Sequence, residues 1–453
     1  MTRIEYMINF ENDNFFADIN LDKHIQNILY DYQLLHLCNL ITAFRSNNVI
    51  IDGSDTGTGK TYTSIALCKQ VNLRPIIICP KIMINEWKKV CKIFDIIPIS
   101  VINYESLKSS KKNESVFNNK FVTVTKNEKT KKNEYTWHIP YNTVVIFDEA
   151  HRCKNVNTQN AQLLLSTKNL RHVMMLSATL TDKPNDLNVF GFMLNLYKNQ
   201  RDGKRWINAK LYEDSMVMNK KKLSAICSAI YPAKGSRMQI SELKDKFPEN
   251  KITADAYSIS DEQQEIIMNY VCKIKNMDLC MGDGLALFTR LRQYLEDVKV
   301  DIIKDLIDDH LEKDFSIVVF LNYTNSINKL AKLCNTKCIV NGETSVEERE
   351  KNIENFQSGQ ERLIICNIQV ESISLHDIQG DHKRVSFISP NFSSTQLIQA
   401  LGRIYRTGSK SKCLQKIIFC SETYEEEICN KIKKKLEFVE KLNSNELVEI
   451  EGF

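Results

Sequence analysis

Asn47-Asn48-Val49-Ile50-Ile51-Asp52-Gly53-Ser54-Asp55-Thr56-Gly57-Thr58-Gly59-Lys60-Thr61 is followed at once by Tyr62-Thr63-Ser64-Ile65-Ala66-Leu67-Cys68. The apolar, β-branched start predicts a strand buried on both faces, and the residues after Lys60 predict a helix. Glycines between a strand and a helix let successive backbone N–H groups point inward at phosphate oxygens. The lysine suits the β- and γ-phosphates and the hydroxyl suits a magnesium ion. Gly57, Thr58, Gly59, Lys60 and Thr61 are therefore candidate nucleotide-binding residues, and Thr61 is also a candidate metal ligand. Ser54 stands where the G-x-x-x-x-G-K-[ST] pattern has its first glycine. A bare G-K-[ST] is common, and it is the strand–loop–helix setting that gives this one weight.

Similar apolar runs recur outward from this stretch: RPIIICP, NTVVIFDEA, HVMMLSAT, SIVVFLNY, RLIICN, KRVSFISP and QKIIFC. Their continuous apolarity predicts parallel strands layered between helices. They cluster within about residues 20–190 and 295–425, and 453 residues exceed what one core usually holds. The fold class expected is α/β, with two domains that each carry a mainly parallel sheet flanked by helices. The expected boundaries are 1–24 for an N-terminal extension, 25–195 and 295–430 for the two domains, 196–294 for a helical connector, and 431–453 for a C-terminal helix and tail. Residues 108–134 are rich in lysine and asparagine around Phe121-Val122-Thr123-Val124-Thr125. They read as an exposed β-hairpin insertion, either a merely solvated loop or an element that grips a nucleic-acid backbone.

Composition narrows the class less. The chain is 43% hydrophobic and 26% charged with a net charge of +5, which suits a polyanion partner without arguing for one. Spanning a bilayer takes about 18 apolar residues and no stretch has them; the first residues also lack the basic-then-apolar order of a secretory signal. The fourteen cysteines are scattered through apolar runs, so they read as reduced core thiols of an intracellular protein in the nucleus or cytoplasm. Cys334 and Cys338 lack a second pair at zinc-ligand spacing.

A second site residue pair follows the run Thr143-Val144-Val145-Ile146-Phe147, which leads straight into Asp148-Glu149-Ala150-His151. A carboxylate at the end of a buried strand can reach a metal beside a phosphate loop. Asp148 is placed to hold Mg2+, and Glu149 to orient and deprotonate an attacking water. The alternative is an acidic helix N-cap.

At this point the chain resembles the superfamily-two helicases, and within them the Swi/Snf-type duplex-DNA translocases, from about residue 25 to 435. Asp31-Tyr32-Gln33 looks like the motif whose glutamine, here Gln33, reads adenine. Ile78-Cys79-Pro80 with Asn85-Glu86-Trp87 is similar to motif Ia, and Asn103-Tyr104-Glu105 to motif Ib. Asp148-Glu149-Ala150-His151-Arg152-Cys153-Lys154-Asn155 resembles the Swi/Snf form of the DEAH box. Ser177-Ala178-Thr179 matches motif III in the general helicase form. Gln399-Ala400-Leu401-Gly402-Arg403-Ile404-Tyr405-Arg406-Thr407-Gly408 resembles motif VI, with Ser421-Glu422-Thr423-Tyr424-Glu425-Glu426-Glu427-Ile428 after it. Where the family's motif V is glycine-rich, this chain has Asn367-Ile368-Gln369-Val370-Glu371-Ser372-Ile373-Ser374-Leu375. Compact ATPases of large DNA viruses share this mixed character.

The resemblance implies two RecA-like domains and a DNA- or RNA-stimulated ATPase that uses ATP and Mg2+. Arg403 and Arg406 become candidate arginine fingers, with Gln399 on the same side; three residues apart on a helix, the two arginines would share one face. His151, Ser177 and Thr179 would couple nucleotide state to nucleic acid. The expected partner is double-stranded DNA, with no membrane and possible membership of a transcription or replication complex. Two other functions stay open: an RNA helicase or transcription-release ATPase, and an ATP-binding scaffold with little turnover.

Overall fold

The computed structural model describes residues 19–108, 121–128, 133–178, 184–216, 224–240, 243, 247–276, 281–370, 373–391, 393–426 and 429. These fall into two compact units that divide in sequence at Leu243.

The first unit carries β1 (Val49–Asp52), β2 (Arg74–Cys79), β3 (Ser100–Asn103), the hairpin strands β4 (Val122–Lys126) and β5 (Asn133–Trp137), then β6 (Thr143–Phe147), β7 (Val173–Leu176) and β8 (Gly235–Ser236). Six of them form one sheet in the order β3-β2-β6-β7-β1-β8, with every neighbour parallel. Side chains alternate across it, as a period of two requires. Ile51, Ile76, Val145, Phe147 and Met175 enter one core layer, and Ile50, Ile77, Ile146 and Met174 enter the opposite one. Because the strands are parallel, the loops after β1, β6 and β7 leave from the same edge. That carboxyl edge is where open α/β sheets place their ligands.

The second unit has β9 (Asn250–Tyr257), β10 (Ser316–Leu321), β11 (Ile339–Val340), β12 (Leu363–Asn367), β13 (Arg384–Ile388) and β14 (Cys413–Cys420). Its sheet runs β11-β12-β10-β13-β14-β9, again parallel throughout. Ile317, Val319, Leu321, Ile365, Val385 and Phe387 form its core with Val300, Ile303 and Ile307 of the long helix Met281–Glu312.

Two parallel-sheet α/β units are thus present, as expected, but the connector at 196–294 needs correction. Its helices Gly203–Met216 and Ser224–Ile230 send Ile207, Ile226 and Ile230 into the first core. Gly235–Ser236 adds a strand to the first sheet, Asn250–Tyr257 adds one to the second, and a single helix runs through position 295. β8 is too short to show a period, and a Cβ on Gly235 would lie 1.9 Å from the Ile51 carbonyl oxygen, so close pairing there needs glycine. β9 is an edge strand with polar residues alternating, unlike the fully buried runs.

The expected hairpin is present: β4 and β5 pair antiparallel from Val122↔Trp137 to Lys126↔Asn133. Val122 and Tyr135 pack into the core, and Trp137 Nε1 donates to Ser166 Oγ at 2.8 Å. Residues 109–120 and 129–132 of the insertion, 1–18 of the N-terminal extension and the C-terminal helix and tail lie outside the described residues. No described helix is long and apolar enough to cross a membrane.

Candidate nucleotide site

β1 ends in the phosphate loop, and the helix Lys60–Gln70 begins at Gly59 with φ 99°, in the left-handed region that glycine tolerates. A Cβ at Gly59 would also meet Gln33 Nε2 at 2.2 Å. Gln33 braces the loop from the helix Asp31–Ser46: its Nε2 donates to Thr58 O at 2.9 Å, and its Oε1 accepts the Tyr30 N–H at 3.0 Å. Both ends of the amide therefore serve the protein, and each keeps capacity for one more hydrogen bond. Thr58 is buried, with Oγ1 donating to Asp55 O at 2.9 Å. Lys60 Nζ donates to Ser54 O at 2.7 Å and Asp55 O at 3.0 Å, so the ammonium lies against the loop's own carbonyls.

Ser54, the departure from glycine, fastens the loop to two neighbours. Its Oγ donates to Asp52 Oδ1 at 2.5 Å and accepts the Met238 N–H at 2.8 Å. Buried His36 Nε2 lies 3.0 Å from the other Asp52 oxygen. Burial pushes the Asp52 carboxyl up, but His36, Lys60 and Ser54 outweigh it and hold the group below the ordinary carboxylate range. Residues 234–240 run beside the loop: Ile51, Gly53 and Asp55 donate their N–H groups to the carbonyls of Lys234, Ser236 and Met238 at 3.0, 2.9 and 2.9 Å. Ile240 N donates to Asp55 Oδ2 at 2.9 Å. Sequence reasoning missed this strap because its bonds join segments about 180 residues apart.

β6 delivers the carboxylates. Asp148 is 7% exposed. Its Oδ2 accepts the Trp87 indole N–H at 2.8 Å and its Oδ1 the Glu149 N–H at 3.0 Å. Tyr104 Oη donates to its backbone oxygen at 2.7 Å. Burial, then the Glu149 charge, pushes the Asp148 carboxyl up to about 7, against the pull of Trp87 and Lys60. The Lys60 charge thus lies near enough to act on Asp148. Glu149 has φ 51°, a left-handed backbone for a non-glycine residue; it stands at the N-cap position of the 3-10 helix Ala150–Cys153, but its side chain makes no cap hydrogen bond there. Its Oε2 lies 3.2 Å from His151 Nδ1, which in turn lies 3.3 Å from Ser177 Oγ at the end of β7. Glu149, His151 and Ser177 therefore form a continuous chain; Thr179 lies outside the described residues. Asp148 and Thr61 offer hard oxygen donors, and among the described residues no group of three or more His, Cys, Asp or Glu could cage an ion. That donor set fits Mg2+, which keeps waters and takes phosphate oxygens as partners.

In the second unit, Ser393 Oγ accepts the Gln396 N–H at 3.3 Å and caps the helix Ser394–Ile404. Gln399 and Arg403 lie on that helix, 7% and 3% exposed. Arg403 Nη1 donates to Ile373 O at 3.5 Å, and Arg403 O accepts the Leu375 N–H at 2.9 Å. Ile373 and Leu375 of the glycine-poor motif V are thus bonded to motif VI. Arg406 does not share a helical face with Arg403, correcting the sequence expectation: Tyr405 is the extended C-cap, so Arg406 lies beyond the helix. Its Nε turns back to Gly402 O at 2.9 Å, and its guanidinium is only partly buried. Burial, with the Arg406 and Arg384 charges, holds the nearby His376 ring down at about 4.

Two family models match: "Type III restriction enzyme, res subunit" over residues 26–182, and "Helicase conserved C-terminal domain" over 298–408. A protein of Acanthamoeba polyphaga mimivirus, named as an ATP-dependent RNA helicase, is 31% identical over 464 residues that cover 95% of this chain and 87% of that one. The chain belongs to the superfamily-two helicases. This helicase is also similar to the human SWI/SNF-related matrix-associated actin-dependent regulator of chromatin subfamily A member 1, 20% identical over 90% of this chain and 43% of that one. A solved Sulfolobus solfataricus SWI2/SNF2 ATPase core in complex with dsDNA matches with TM-score 0.36 and 18% identity, over 88% of this chain and 89% of that one. The helicase is an ATP-dependent motor acting on nucleic acid.

Proposed function

We propose that this helicase is a DNA-stimulated ATPase that translocates along duplex DNA. Lys60 and the loop amides bind the ATP phosphates, and Thr61 and Asp148 hold the magnesium ion. When bound, that ion neutralises charge developing on the phosphates. Glu149 orients the attacking water and takes its proton. Arg406, the more accessible of the two arginines, is assigned to the γ-phosphate; Arg403 and Gln399 shape the motif VI helix that presents it.

The observation that carries the motor reading is the Glu149–His151–Ser177 chain. It links the proton-accepting carboxylate, just past β6, to the end of β7, the next strand in sequence and the neighbour of β6 in the sheet, so a shift at Ser177 reaches the hydrolytic group through two contacts. The Swi/Snf spelling of residues 148–155 favours duplex DNA. An RNA-directed motor is the second reading, favoured by the name of the mimivirus relative.

ATP turnover measured with duplex DNA, single-stranded DNA and RNA at matched salt separates the two. Strongest stimulation by duplex DNA, with triplex displacement and no strand separation, is expected. Stimulation by RNA alone would overturn the duplex-DNA assignment.

A further inference from the structure

We propose that Trp87 is a positioning residue for the Asp148 carboxylate, fixing the oxygens that it offers to a bound divalent ion. This rests on the assignment of Asp148 to the metal.

Trp87 lies on the helix Ile84–Ile93, which follows β2, and its side chain is wholly buried. A buried indole N–H needs an acceptor, and this one has a carboxylate at 2.8 Å. A carboxylate offers about four acceptor positions. The indole takes one on Oδ2 and the Glu149 amide takes one on Oδ1, leaving one on each oxygen for the ion's shell. Rotation of the carboxylate about its Cβ–Cγ bond would break both bonds at once. The backbone on either side is held as well, Asp148 N to Ile78 O at 2.9 Å and Asp148 O by the Tyr104 hydroxyl. The donor also stabilises negative charge in a place where burial and Glu149 oppose it. Partners that orient a ligating side chain typically change metal affinity by about 10–100-fold when removed.

Filling space is the competing role, and Trp87→Phe separates it, because phenylalanine keeps an aromatic ring but has no N–H. The test is done on the full chain with a fluorescent ADP analogue. Nucleotide binding is titrated with Mg2+ to find the midpoint at which the ion tightens it, and affinity in EDTA and thermal stability are measured alongside. The expected result is a midpoint raised about tenfold, with metal-free nucleotide affinity unchanged. Asp148→Asn in the same titration must move the midpoint too. A midpoint unmoved in Trp87→Phe but moved in Asp148→Asn overturns the proposal. A midpoint unmoved in Asp148→Asn overturns the metal assignment and the proposal with it. The wild-type chain supplies a second measurement should Trp87→Phe not fold. It has three tryptophans, so Trp137→Phe and Trp206→Phe identify the remaining indole N–H resonance as that of Trp87. That resonance is expected to move when Mg2+ is added to the ADP complex, and a stationary signal overturns the proposal.

Discussion

Lys299 and Glu425 meet at 2.6 Å inside the second unit, 0% and 5% exposed. The ammonium also donates to Ser389 Oγ at 2.9 Å and Ile418 O at 3.3 Å, and the second Glu425 oxygen accepts the Cys420 N–H at 2.9 Å. One turn earlier on the same long helix, Glu296 accepts from the Asn322 and Tyr323 amides at about 2.9 Å each. The helix therefore grips the carboxyl ends of β10, β13 and β14 by charge rather than by apolar contact alone.

Removing one partner of such a pair strands the other in a low-dielectric site. Lys299→Ala should cost about 3–5 kcal/mol in urea unfolding. The double variant Lys299→Met, Glu425→Gln should lose clearly less, because no charge is left unpaired. Equal losses in the two proteins would show that the pair contributes through shape only.

The two motif VI arginines should separate by experiment. Arg406→Ala is expected to fold with wild-type stability, bind ATP and turn over about a thousandfold more slowly. Arg403→Ala should instead lower the melting temperature, since the Arg403 side chain is buried and its guanidinium bonds the Ile373 carbonyl of motif V. Turnover of Arg406→Ala within a few-fold of wild type would remove it from the reaction.

His376 gives a pH dependence. Its ring is held at about 4 against an ordinary 6.5, so the unfolded chain binds a proton between those values that the folded chain refuses. Stability is full above about pH 6.5 and falls as pH drops toward 4. The shift corresponds to about 3 kcal/mol, and solvent at this part-exposed ring reduces it to about 2. Urea midpoints of wild type and His376→Gln should converge as the pH is lowered from 7 to 4.5. A constant gap across that range would refute the assignment.

Ser54→Ala removes the bond to Asp52 and leaves the Met238 amide without its partner. A loss of about 1–3 kcal/mol is expected, with weaker ATP binding. Ser54→Gly restores the family spelling, yet it should be no better, because the strap still loses its acceptor. Wild-type stability and ATP affinity in either variant would make Ser54 incidental.

All eight apolar runs named in the sequence became strands, because a strand buried on both faces has no room for polar alternation. The strands that escaped notice are short or lie at sheet edges. β11 has two residues, β8 has two with glycine at the close approach, and β9 alternates because one face stays wet. Lys60 and Asp148 were legible as a pair, since loop chemistry and a strand end each leave a local pattern. The Trp87 and Tyr104 bonds to Asp148 were not, although both residues stood in recognisable segments; a hydrogen bond across the fold leaves no mark on its neighbours in sequence. Arg406 was misplaced for a simpler reason: no glycine or proline signals the end of the helix at Ile404, and Tyr405 turns extended without one.

The strap beside the phosphate loop has a mechanical meaning. A strand pulled along its own axis loads its rungs in shear, all together, whereas one pulled sideways peels them singly. Residues 234–240 lie lengthwise against residues 51–55, and the chain then continues into the second unit. Tension drawn along that chain past Ile240 arrives first at the Asp55 side chain, two residues from Gly57. Under such a load, the hydrogen bond from the Ile240 amide to Asp55 would be the first described rung of the strap to be stretched.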